Sequence, residues 1–182
     1  MLRADTSLRI VDKGHSMNRT VKTFGAATML AGFMTLVACG GGGPAYDPES
    51  PEGAAYEFRH SVMHVAGIKM EFLNNMARET IAIDEAAFAA AARQLAVLTE
   101  MMNEGFETES IVAGSRSLPE IWDNKSDFDS RLANAVEGTA NLAATATNSG
   151  FAAAQSMVVG SPGFSSTYCG SCHNTYRGPD TD

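Results

Sequence analysis

Cys169-Gly170-Ser171-Cys172-His173, close to the end of this 182-residue chain, restricts the fold more than any other segment. Residues three and four apart on a helix share a face, so this spacing turns Cys169, Cys172 and His173 the same way. C-x-x-C-H reads as a site of covalent c-type haem attachment. The two thiols add to the haem vinyl groups as thioethers, and the adjacent imidazole binds the iron. A zinc site on the same thiols needs two further ligands, and no second Cys/His pair stands at suitable spacing from them. One haem c per chain is the expected cofactor, held by Cys169 and Cys172, with His173 as the proximal iron ligand. Asn174 to Asp182 contain no Met, His or Lys. A sixth ligand is therefore expected from an upstream helix, or the iron is open on one side.

The other end of the chain reads as an address. Residues 18–22 (Asn-Arg-Thr-Val-Lys) are basic, and an apolar run from Phe24 to Ala38 follows. That run is too short for a membrane span and fits the h-region of a secretory signal. It ends in Leu36-Val37-Ala38-Cys39, which resembles a bacterial lipobox, with cleavage before Cys39 and acylation of that cysteine. Residues 1–38 are expected to be a signal region, of which 1–16 precede Met17 and look like a misassigned start. Residues 39–53 are expected to be a lipidated cysteine followed by a Gly- and Pro-rich tether. The expected location is the periplasm, with a lipid anchor in a bacterial membrane. The chain has three cysteines, so lipid and haem use all of them and none remains for a disulfide.

From Cys39 onward there are 8 Lys and Arg against 19 Asp and Glu. Such an acidic surface argues against nucleic acid as a partner and suits a basic redox partner. Apolar residues recur at helical period in four stretches. The first, about Ala54 to Arg78, places Phe58, Val62, Val65, Phe72 and Met76 on one side. The second starts at Asp84, a favourable N-cap residue, carries Phe88, Leu95, Leu98 and Met102, and stops near Gly105. After a connection from about Gly105 to Lys125, the third runs from about Ser126 to Thr147 with Phe128, Leu132, Val136, Thr139 and Leu142. The last spans about Phe151 to Arg177, and Pro162 should kink or divide it. No strand-like alternation is visible. The expected fold is all-α, an antiparallel four-helix bundle over residues 54–182 that binds c-type haem through its last helix.

A bundle with C-x-x-C-H in its last helix resembles the class II cytochromes c, and the cytochrome c-prime family in particular, from about Ala54 to Arg177. Arg59-x-x-x-Met63 is similar to the family's propionate-binding arginine and distal residue. Pro119-Glu120-Ile121-Trp122 resembles the segment before its third helix, and Cys169 to His173 with Tyr176-Arg177 resembles its C-terminal signature. The resemblance implies that Arg59 binds a haem propionate, that Met63 lines the distal face, and that Arg177 tunes the proximal side. The chain departs from the pattern at His60, where glutamine is usual, and at Gly160-Ser161-Pro162-Gly163, which interrupts a helix normally continuous. His60, with His64 one turn on, is expected at the haem edge or in solvent, not on the iron. A homodimer through the first two helices is implied by the resemblance alone.

Two functions fit these residues. With Met63 as a non-bonding wall, the iron is five-coordinate and binds nitric oxide or other small gases in a pocket lined by Val62, Met63 and Phe side chains. With Met63 as a ligand, the haem is low-spin and the protein is an electron carrier, since methionine ligation raises the potential. Arg59 favours the first. No positioned acid–base pair supports catalytic turnover, so an enzyme is not expected.

Overall fold

The computed structural model describes residues 46–179. The expected signal region, the lipidated Cys39 and the start of the tether lie outside the described residues. Helix α1 (Pro51–Ala77) begins where Ser50 caps it, its hydroxyl accepting from the Gly53 N–H at 3.0 Å. Pro51 takes the first helical position, where a missing donor is no loss. The Ser-Pro pair thus carries the helix three residues further upstream than its apolar periodicity alone indicates. Asp84 does cap α2 (Glu85–Met101), accepting from the Ala87 N–H at 2.9 Å. The chain then tightens into a 3-10 turn, Met102–Phe106, that contains the expected stop at Gly105.

After an irregular stretch and the single turn α3 (Glu120–Asp123), helix α4 runs over Lys125–Asn148. Gly150, at φ +85°, reverses the chain into α5 (Phe151–Val159). Only glycine enters that left-handed region without a Cβ penalty. Pro162 divides the last helical region, as expected. Beyond it the chain resumes as a π-helical turn, Ser165–Cys169, which feeds α6 (Gly170–Tyr176).

The long helices alternate in direction. Thr99 meets Thr139 while Arg93 meets Thr147, so α2 and α4 run antiparallel. Gln155 reaches the Ala77 carbonyl and Ser165 reaches Asn74, so the C-terminal segment runs back along α1. These four rods form the bundle, with Leu73, Phe88, Ala92, Leu142 and Ala154 fully buried at its centre. Each large side chain buried there contributes roughly 1.5–3 kcal/mol of transfer free energy. Val65, expected on the buried side of α1, is instead 39% exposed; Ala66, Met70 and Leu73 form the inward stripe. No strand occurs among the described residues, which contain a single isolated bridge between Ser117 and Arg177.

Candidate functional site

Cys169 ends the π-helical turn, and Cys172 and His173 lie on the first turn of α6, so the three donors stand on consecutive turns of one rod. Both thiols are free and half-buried. Burial pushes the Cys169 thiol up, and the neighbouring Cys172 adds to this. Burial likewise raises Cys172, partly offset by its bond with Ser171 and by the Arg131 charge. Solvent reaches His173, yet the surrounding chain desolvates its ring enough to lower its pKa, and the Arg177 and Arg116 guanidiniums lower it further. The imidazole is thereby held neutral, the form that binds iron.

The rod is fixed from outside. On α4, Arg131 donates to the Ser171 carbonyl at 2.7 Å, between the two cysteines, and also to Asp127 at 2.7 Å. Tyr176 donates to the same Asp127 carboxylate at 2.6 Å. Those two bonds hold the Asp127 carboxyl below its ordinary value, the Tyr176 hydroxyl more than Arg131. Just ahead of Cys169, the Tyr168 ring packs against Gly138, where a Cβ would come within 2.5 Å of it. Gly138 therefore allows α4 and the haem-motif segment to approach this closely. Arg116 donates twice to the Gly178 carbonyl, at 2.7 and 3.0 Å, closing the connection between α2 and α4 over the chain's last turn.

Arg177 stands at the expected end of the last helical region, one residue past Tyr176; its backbone is extended, and it pairs with Ser117 across the isolated bridge. Its charge nevertheless reaches His173.

On α1, Met63 is half-buried against the core beside buried Val62. Arg59 is 4% exposed. Its guanidinium donates to the carbonyls of Gly105 at 2.7 Å and Ser110 at 2.8 Å and to the Ser115 hydroxyl at 3.4 Å, and it lies 5.2 Å from the Phe106 ring centroid. All these partners are neutral, and desolvation lowers its pKa. These bonds pin the connection between Gly105 and Ser115 against α1. His60 and His64 are exposed and outside the buried stripe of α1.

Sequence reasoning missed Arg131, Asp127, Arg116 and Gly138. Asp127 and Arg131 stand at i,i+4 spacing, which signals an ion pair; nothing local signals that Arg131 reaches Ser171, 40 residues away.

An antiparallel helical bundle offering two thiols and a neutral imidazole on its last rod defines a c-type haem protein of the bundle class. Residues 54–177 match the family model described as cytochrome C', and the chain belongs to that family. Its cofactor is covalently bound haem c. The chain is 29% identical to cytochrome c-554 of Cereibacter sphaeroides over 128 residues, covering 68% of this chain and 92% of that protein. The structure of cytochrome c prime from Shewanella frigidimarina is similar, with a TM-score of 0.63 and 26% identity over 72% of this chain and 98% of the other. A ferrous variant of cytochrome c prime from Alcaligenes xylosoxidans with bound nitric oxide shares the fold, with a TM-score of 0.59 and 18% identity over 69% of this chain and 94% of the other.

Proposed function

We propose that the haem is carried by Cys169 and Cys172, ligated by His173 and left open on its distal side, so that the protein binds nitric oxide or other small gases. Haem c supplies an iron at which diatomic ligands bind; the chain decides what reaches it. The observation that carries the reading is the apolar character of Val62 and half-buried Met63, packed with the core of α1. Distal polarity and hydrogen-bond donors govern stable dioxygen binding, and these side chains offer neither. Buried Arg59, whose partners are all neutral, suits a haem propionate. Arg177 and Arg116 set the proximal charge beside His173. The structural relative with bound nitric oxide supports the same ligand class.

The remaining assignments belong to the same reading. Cys39 anchors the protein by lipid in the periplasm, and among the described residues no helix is long and apolar enough to cross a membrane. The acidic surface suits a basic redox partner. Val65 and Val97, both exposed, line one shallow groove between α1 and α2 and suit a homodimer through those helices.

Electronic absorption and EPR spectra of the purified protein test the central claim. We expect a mainly high-spin, five-coordinate iron that binds nitric oxide, and Met63→Ala leaving the spin state unchanged while speeding ligand entry. A low-spin wild type that becomes high-spin in Met63→Ala makes Met63 a ligand and the protein an electron carrier.

A further inference from the structure

The exposed side of α1 carries a ladder of rings that the proposed gas-binding function leaves unassigned. Tyr56, His60 and His64 stand four residues apart on one edge of the helix. The Tyr56 and His60 ring centroids are 5.7 Å apart at an interplanar angle of 21°, and those of His60 and His64 are 6.4 Å apart at 18°. Tyr56 is braced in turn, its hydroxyl donating to the Gly114 carbonyl at 3.4 Å and its ring meeting the edge of Tyr46 at 5.0 Å. His60 thus leans on an anchored ring and loses less rotamer freedom on ligation than a free surface side chain does.

We propose that His60 and His64 form a two-imidazole site for a divalent transition-metal ion, with Cu2+ bound most tightly. Histidines at i and i+4 present two imidazoles on one helical face, the spacing that zinc-binding helices use. Imidazole nitrogen suits Zn2+, Ni2+ and Cu2+, and at a given site Cu2+ stands highest in that order. At 6.4 Å the ring centroids stand somewhat farther apart than in two imidazoles that share one ion at about 2.1 Å per bond, so the two side chains turn toward each other on binding. Both side chains are exposed, so small rotations turn a nitrogen of each toward a shared ion. The excess of 19 Asp and Glu over 8 Lys and Arg from Cys39 onward draws cations to the surface at long range. No cluster of three or more His, Cys, Asp or Glu suited to a metal occurs among the described residues, so water completes the coordination and the ion exchanges readily. The site is independent of Cys169, Cys172 and His173.

Titrating Cu2+ into the holoprotein at neutral pH, followed by calorimetry and EPR, tests the site. We expect one Cu2+ per chain, with nitrogen superhyperfine structure from two imidazoles. Either His64→Ala or His60→Ala should weaken binding by roughly tenfold or more, because the second bond of a chelate forms at high effective concentration. His64→Ala should leave the haem spectrum and helical content intact, separating loss of the site from loss of the fold. A wild type whose copper lacks the two-imidazole signature overturns the proposal. So does a His64→Ala protein that binds Cu2+ as tightly as the wild type.

Discussion

The seam between α2 and α4 and the segment from Phe151 to Arg177 bury similar apolar side chains but are held together differently. The seam consists of two uninterrupted helices around a buried hydroxyl pair, Thr99 and Thr139 at 2.7 Å, each bonded as well to a carbonyl one turn back. Its order comes from local hydrogen bonds and periodic packing. The C-terminal segment is broken after Val159 and passes through a π-helical turn before α6. What local regularity leaves undone there is supplied from a distance, by Asn74, Arg116, Asp127 and Arg131. A π-helical turn is a frequent companion of functional sites. The contrast teaches that this chain gives up helical regularity where it presents its donors, and replaces it with side chains sent from other elements.

The largest expected effect separates the two regions outright. Cys169→Ala together with Cys172→Ala should abolish haem retained on the polypeptide after acid–acetone extraction. In the same variant, hydrogen exchange should rise first over the C-terminal segment and last over α2 and α4, since locally bonded elements open least readily. Haem that extracts freely from the wild type contradicts the attachment, and uniform loss of protection contradicts the contrast.

Arg59→Met comes next. The substitution keeps apolar bulk but removes the donors to the buried Gly105 and Ser110 carbonyls. Leaving a buried acceptor unsatisfied costs about 1–3 kcal/mol, so a loss of about 3 kcal/mol is expected in urea unfolding. Exchange should rise selectively between Gly105 and Ser115. Arg59→Lys should not restore the wild type, because a single ammonium cannot reproduce the guanidinium fork. A loss well under 1 kcal/mol shows that the connection holds itself.

This contrast also decides what the sequence reveals. The seam is legible: Phe88, Leu95, Phe128, Leu132 and Leu142 recur at helical spacing and are buried, and Asp84 caps where it should. The donors are legible too, because C-x-x-C-H packs its chemistry into five neighbouring residues, and the family is confirmed over residues 54–177. The surroundings of those donors are not. Arg131, Arg116 and Gly138 act across 40 residues or more or through shape alone, and no local periodicity encodes such contacts. Val65 departs for a related reason: its spacing fits the apolar stripe, but the buried stripe runs through Val62, Ala66, Met70 and Leu73 and leaves Val65 at the open edge of a shallow groove beside α2. The extended backbone of Arg177 at the end of α6 is likewise unreadable locally, because the Ser117 bridge is a long-range pairing.

Gly138→Ala tests the point at which the two regions touch. A Cβ there falls 2.5 Å from the Tyr168 ring, next to Cys169. Overpacking of this kind costs about 1–3 kcal/mol, and about 2 kcal/mol is expected in the unfolding free energy. The seam side of α4 should keep its exchange protection while the Tyr168–Cys172 stretch loses it. A variant as stable as the wild type indicates that Tyr168 swings aside freely, and that the segment is less tightly placed than the comparison holds.

The smallest effect concerns pH and the polar clamp itself. Tyr176 is the main reason the Asp127 carboxyl titrates below its ordinary value, and Arg131 is the second. With a depressed folded-state pKa, the folded protein binds fewer protons than the unfolded chain through the acid window. The resulting stability is present above the unfolded carboxylate value of about 3.9 and fades as pH falls through the lower folded value. Tyr176→Phe keeps the buried ring against Phe128, at a centroid distance of 5.3 Å in the wild type, and removes only the hydroxyl. The Asp127 carboxyl should then titrate closer to its ordinary value. Because the carboxylate is exposed to water, the change at neutral pH should be slight, and the difference should appear as a shallower decline of the urea midpoint below pH ~4. An acid limb identical in Tyr176→Phe and the wild type shows that the hydroxyl bond adds nothing to the clamp, leaving Arg131 alone to hold the donor-bearing rod against α4.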